Sequence, residues 1–98
     1  MRITLVGSRH FGVATLDMLR QQGVDIVRVV VADGEDRLAT AARAAGIEIV
    51  VQANPKLVVA AEIAEGTDLI VTAHSHARIA KEADMAVKLA KAAKIEPQ

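Results

Sequence analysis

The feature that most constrains this chain is the stretch from Asp25 to Ala32. There Ile26, Val27, Val29, Val30 and Val31 make an almost unbroken β-branched run. β-Branched side chains favour extended backbone over helix. A strand with one wet face alternates apolar and polar residues. A run apolar at successive positions must instead be covered on both faces, the environment of a parallel sheet between two layers. Three other segments read as strands of the same kind. Arg2-Ile3-Thr4-Leu5-Val6 closes at Gly7, Ile47, Ile49, Val50 and Val51 form the third, and Asp68-Leu69-Ile70-Val71-Thr72-Ala73 the fourth.

Helical stripes lie between them. Val13, Leu16 and Leu19 run up to Gly23, and Leu38, Ala41, Ala42 and Ala45 run up to Gly46, each glycine standing where a C-terminal cap is expected. Asn54-Pro55 has the cap-then-proline form of a helix start, followed by Leu57, Ala60, Ala61 and Ala64 and closed by Gly66. From about Ile79 to Lys94 the chain is rich in Ala, Lys, Glu, Met and Leu and predicts one long helix. The order β-α-β-α-β-α-β-α predicts right-handed βαβ units. The expected fold is α/β: a three-layer, Rossmann-like half-domain over residues 1–98, with a four-stranded parallel sheet in the order 3-2-1-4 and helices on both faces.

Composition removes several function classes. Twelve basic and twelve acidic residues cancel, so no long-range field draws the chain to nucleic acid or to an anionic membrane. Phe11 is the only aromatic residue, too few for a base-stacking platform. With no cysteine there is no disulfide, thiolate metal site or cysteine nucleophile. No apolar run has the length of a membrane span, and the chain opens on a strand rather than a leader. The expected location is cytoplasmic, with no membrane and no nucleic-acid partner.

In α/β proteins the turn after the first strand is where phosphates bind. Here it reads Gly7-Ser8-Arg9-His10-Phe11-Gly12. Gly7 and Gly12 fit the first and third glycines of a dinucleotide fingerprint, but Arg9 stands in place of the middle one, where a side chain crowds a pyrophosphate. Asp33, at the end of the second strand, is the candidate ribose partner. The alternative is that both glycines serve only the turn and the helix packing. In the expected strand order His10, His74 and His76 gather at the carboxyl edge of strands one and four. His74-Ser75-His76 would direct two imidazoles the same way on extended backbone. Imidazole suits zinc, copper or nickel, yet no cysteine or carboxylate ligand is spaced nearby to complete a set. Ser8 and Ser75 lie in the same loops, without a Ser-His-Asp arrangement. The plainer expectation is solvated histidines at the rim of a cleft, with no metal. Glu35 and Asp36 favour a helix dipole. Glu62, Glu65, Lys81, Lys88, Lys91 and Lys94 read as solvated helix faces.

Met1-Arg2-Ile3-Thr4-Leu5-Val6-Gly7-Ser8 followed by Phe11-Gly12 resembles the start of the formyltransferases that use 10-formyltetrahydrofolate, a family that includes methionyl-tRNA formyltransferase. The resemblance continues through Val27-Arg28-Val29-Val30-Val31, Ala44-Ala45-Gly46-Ile47, Thr67-Asp68-Leu69-Ile70-Val71 and Ile79-Ala80-Lys81-Glu82, and spans roughly residues 1–89. It implies a folate pocket, one wall of which would be formed by Gly7, Ser8, Arg9, His10, Phe11, Gly12, His74, Ser75, His76 and Ile79. Ala80 replaces the family's usual proline. After Lys88-Leu89 the family continues with a fifth strand carrying asparagine and histidine, then a later catalytic aspartate. This chain instead runs Ala90-Lys91-Ala92-Ala93-Lys94. No catalytic residue is carried over. The expectation is a module inactive alone, needing no cofactor and binding folate weakly at most.

Other readings stand beside this, among them an enzyme or enzyme subunit whose missing residues come from another chain. The Ala-Lys-rich tail suits an engineered or excised half-domain without a ligand. The Gly7–Gly12 turn could serve a nucleotide- or phosphate-binding module. A receiver domain would need acids after the first strand and an aspartate ending the third, and a flavodoxin a Ser/Thr-rich phosphate loop. With only helix after the fourth strand, its Leu69-Ile70-Val71 edge would be open, which predicts either a homodimer through that edge or a helix folded across it.

Overall fold

A computed structural model describes residues 2–73, 78–79 and 88–91. In chain order the elements are β1 (Arg2–Gly7), α1 (Arg9–Gln21), β2 (Asp25–Val31), α2 (Arg37–Ala44), β3 (Ile49–Val51), β4 (Leu57–Val58), a 3-10 turn (Ala60–Glu62), β5 (Leu69–Ala73), β6 (Arg78–Ile79) and β7 (Lys88–Lys91). The main sheet has the order β3-β2-β1-β5-β7, and every pairing in it is parallel. The expected α/β fold is observed: the four strands read from the sequence are β1, β2, β3 and β5, in the anticipated order.

Alternate residues of the central strands feed two cores, as the unbroken apolar runs require. Ile3 and Leu5 of β1, Val29 and Val31 of β2, and Val71 and Ala73 of β5 pack with Leu16 of α1 and Leu38, Ala39 and Ala42 of α2. Val6, Val30 and Ile70 point the other way and meet Val58, Ile63 and Ile79. Each fully buried valine or leucine is worth about 1.5–3 kcal/mol relative to leaving it exposed. A bulge keeps this partition in phase. Ile3 pairs with Ile26 but Thr4 with Arg28, so Val27 is the extra residue in β2. Ile26 and Val29 thereby both join the helix-side core.

Glycine caps end both helices in the left-handed region, Gly23 at φ 77° and Gly46 at φ 76°. The helix expected from Asn54 to Gly66 does not form. Asn54 instead makes a tight turn, its Oδ1 accepting from Lys56 N–H at 2.9 Å and its carbonyl from Leu57 N–H at 3.0 Å. Val58 and Val59 then run extended, and Val58 pairs with Ile79. The expected alanine stripe is exposed at Ala60 and Ala61, while Val58 is fully buried. Two adjacent β-branched residues disfavour helix, and bulk at Val58 and Ile63 fills the second core where alanines would leave gaps.

Glu62 is likewise no solvated helix residue. It is 8% exposed, and its carboxylate accepts from Ala53 N–H at 2.9 Å and Val59 N–H at 3.1 Å. Arg28 holds the same segment from the sheet. Its Nη1 donates to the Glu62 carbonyl at 3.2 Å while its Nε pairs with Glu48 at 3.0 Å.

The long helix expected from Ile79 to Lys94 is also corrected. Ile79 lies in β6, and Lys88–Lys91 pairs with β5, Leu69 opposite Lys88 through Thr72 opposite Lys91. An open apolar strand recruits a partner, and here the chain supplies it, overriding the helix preference of its Ala and Lys residues. β7 thus lies along the β5 edge that the sequence reading leaves open.

Because Glu62 satisfies two backbone donors in a buried place, Glu62→Ala should cost about 2–3 kcal/mol in urea unfolding. A loss no larger than that of a surface substitution would mean the third crossover is held by its apolar contacts alone.

Candidate functional site

The strand order reverses between β1 and β5: the chain moves from β1 outward to β2 and β3, then returns to the other side of β1. Ligands of open parallel sheets sit at the carboxyl ends of the strands flanking such a point. Every residue of the Gly7–Gly12 segment lies at this edge. Gly7 ends β1 opposite Ala73, the last residue of β5. The helix begins earlier than its apolar stripe indicates, so Arg9 to Gly12 form the first turn of α1 rather than a loop.

Close packing fixes this segment. A Cβ on Gly7 would stand 2.6 Å from the Ala73 carbonyl oxygen, and one on Gly12 would stand 2.9 Å from Leu38 Cδ2. Ser8 N–H donates to the Ala73 carbonyl at 3.3 Å, extending the β1–β5 contact one residue past the strand. Gly12 N–H donates to the Ser8 carbonyl at 2.9 Å, and Thr15 Oγ1 donates to the Phe11 carbonyl at 2.9 Å. Phe11 packs against the helix-side core. The glycines serve the turn and the helix packing, roles that a phosphate-binding fingerprint also asks of its first and third glycines.

Arg9 occupies the fingerprint's middle-glycine position, and its backbone adopts the conformation that glycine would: φ is 57°, the one positive value at a non-glycine among the described residues. What holds it there was not anticipated. Arg9 N–H donates to Asp36 Oδ1 at 2.7 Å, and the same oxygen accepts from Leu38 N–H at 2.8 Å. Asp36 is the N-cap of α2, and it reaches across to the first residue of α1 as well. One carboxylate therefore serves two helix N-termini. The sequence signal was an aspartate just before a helix in the loop after β2, which the 3-2-1 order sets beside the loop after β1.

Asp33, the candidate ribose partner, is engaged in its own loop. Its Oδ1 accepts from Glu35 N–H at 2.9 Å and its carbonyl from Asp36 N–H at 3.1 Å. Arg43 Nη1 donates to the Gly34 carbonyl at 3.0 Å, tying the loop to α2.

Ile79 lies away from this segment. It is half-buried in the second core, on the sheet face opposite α1 and α2. His74, Ser75 and His76 follow Ala73 in the chain and lie outside the described residues. Among the described residues no group of three or more histidines and carboxylates could hold a metal ion. Among the same residues no helix is long and apolar enough to cross a membrane.

The left-handed backbone at Arg9 sets an expectation for stability. Arg9→Gly should raise it by about 1 kcal/mol, and Arg9→Val should lower it by about the same, since a β-branched residue suits this conformation least. Thermal unfolding of the three proteins reads the order directly, and a valine variant as stable as wild type would contradict the geometry.

Compared with protein-family models and with curated proteins, the chain matches none.

Proposed function

We propose that this chain is a formyltransferase-like parallel-sheet module whose β1–β5 carboxyl edge contributes one wall of a folate-type cleft, and that it does not transfer a formyl group alone. The observation that supports this reading is the parallel order β3-β2-β1-β5, made of the four strands over which the resemblance runs. The resemblance implies a fifth strand after Lys88-Leu89, carrying asparagine and histidine; here Lys88–Lys91 itself runs parallel beside β5. β7 reads Lys88-Leu89-Ala90-Lys91, and neither it nor Ala92-Ala93-Lys94 carries an asparagine or a histidine. A sheet in the expected order thus stands beside a sequence in which no residue matches the family's catalytic positions.

The β1–β5 edge supports a binding role in physical terms. The strand ends at Gly7 and Ala73 lie side by side at the point of strand reversal, and the segments leaving them, residues 8–12 and 74–79, would carry the ligand contacts. Ile79 would contribute by shaping the second core behind the edge.

The test is an amide-shift titration of isotope-labelled protein with 5-formyltetrahydrofolate, with NADH as the control. Shifts confined to residues 7–12 and 74–79, and absent with NADH, are expected. A well-dispersed spectrum that folate leaves unchanged would overturn the reading.

A further inference from the structure

We propose that the third crossover, residues 54–66, is a two-state element, extended here and helical in its alternative form, with Glu62 as the latch between the two. Both ends of the alternative helix are already built. Asn54 Oδ1 accepts from Lys56 N–H at 2.9 Å, two residues on, and Asp36 caps α2 through the same spacing, with Leu38 N–H at 2.8 Å. Pro55 stands at the first helical position, where its fixed φ suits a helix and its missing N–H costs nothing. At the other end Gly66 has φ 79°, the conformation that Gly23 and Gly46 adopt at the ends of α1 and α2. Between these ends Ala60, Ala61, Glu62, Ala64 and Glu65 are strong helix formers. Yet the caps enclose only β4 and one 3-10 turn.

The two forms compete for the same backbone groups. In a helix entered at Pro55, Val59 N–H would bond the Pro55 carbonyl, and the Glu62 carbonyl would accept from Gly66 N–H. Here side chains hold both. Val59 N–H donates to the Glu62 carboxylate at 3.1 Å, and the Glu62 carbonyl accepts from Arg28 Nη1 at 3.2 Å. The same carboxylate takes Ala53 N–H at 2.9 Å, tying the entry of the crossover to its middle. Val58, fully buried in the second core, adds to the extended side. Local preference and two finished caps stand against these contacts, the balance that a bistable segment requires. β4 pairs with β6, which follows residues 74–77 in the chain, so helix formation would release the far end of the segment that leaves β5. The inference concerns the crossover and stands whether or not the β1–β5 edge binds folate.

The experiment records Cα chemical shifts and far-UV circular dichroism of wild type, Glu62→Ala, Val59→Ala, and Glu62→Ala combined with Ala60→Pro. Glu62→Ala removes the latch and leaves a helix former in its place. Residues 57–64 should move from extended to helical Cα shifts and the helical dichroism should rise, while residues 3–6 of β1 keep their shifts. Val59→Ala leaves the carboxylate in place but lowers the preference for extended backbone, should move the same residues the same way, and serves if Glu62→Ala does not fold. Ala60→Pro follows a Val59 at φ −99° and ψ 163°, the extended backbone that proline asks of its predecessor, so it suits the present form and bars the helix. The combined variant should therefore lose the helical shifts. Extended or random-coil shifts over 57–64 in both Glu62→Ala and Val59→Ala would overturn the proposal, and so would helical shifts that Ala60→Pro leaves unchanged.

Discussion

Everything at the candidate site depends on the absence of a side chain at Gly7. β1 lies between β2 and β5, and at its carboxyl end the Gly7 backbone lies so close to β5 that a Cβ would meet the Ala73 carbonyl at 2.6 Å. The contact carries on through Ser8 N–H to the same carbonyl. Gly12 repeats the device one helical turn later, against Leu38 of α2. Together they set α1 tightly against α2 and the sheet. Only then does the loop after β2 come within reach of the first residue of α1, so that Asp36 can bond Arg9 N–H and Leu38 N–H with one oxygen.

On the other face of the sheet, polar groups among the described residues tie the crossover down beside the second core. The bulge at Val27 places Arg28 opposite Thr4, away from α1 and α2. There it reaches the carbonyl of Glu62, while the buried Glu62 carboxylate collects the N–H groups of Ala53 and Val59. Thr4 adds its hydroxyl, which lies 2.8 Å from that of Thr67 and accepts from Ala64 N–H. Polar groups from two strands therefore hold a crossover that has little regular structure of its own. A buried carboxylate is tolerated here because backbone donors satisfy it.

Most of the sheet was legible in the sequence because burial on two faces leaves a plain signature. Val29, Val30 and Val31 are apolar in succession and divide between the two cores, and the caps at Gly23 and Gly46 fall where the apolar stripes stop. Two segments were misread for one physical reason: local preference was weighed without the sheet. Asn54-Pro55 and the alanines after it look helical in isolation, yet Val58 is needed in the second core. Lys88–Lys91 has helix-forming composition, yet it lies along the edge of β5 that faces away from β1, which would otherwise be unpaired. At the site, the place of Gly7 and Gly12 was legible from their spacing. The Asp36 bond to Arg9 was not, since it joins residues 27 apart in the chain through the packing of two loops.

The abutting ends of β1 and β5 thus lie beside a first turn of α1 that Asp36 ties to α2. The central claim is that β1 and β5 abut at Gly7 with no space for a side chain, and Gly7→Ala tests that most directly. Urea unfolding of this variant, with amide shifts recorded in the native state, should show a loss of about 2–3 kcal/mol and displaced resonances at Ser8 and Ala73, because the Ala73 carbonyl is backbone and has little freedom to yield. A variant with wild-type stability and an unperturbed spectrum at those residues would contradict the close approach, and with it the packing that brings Asp36 to the first turn.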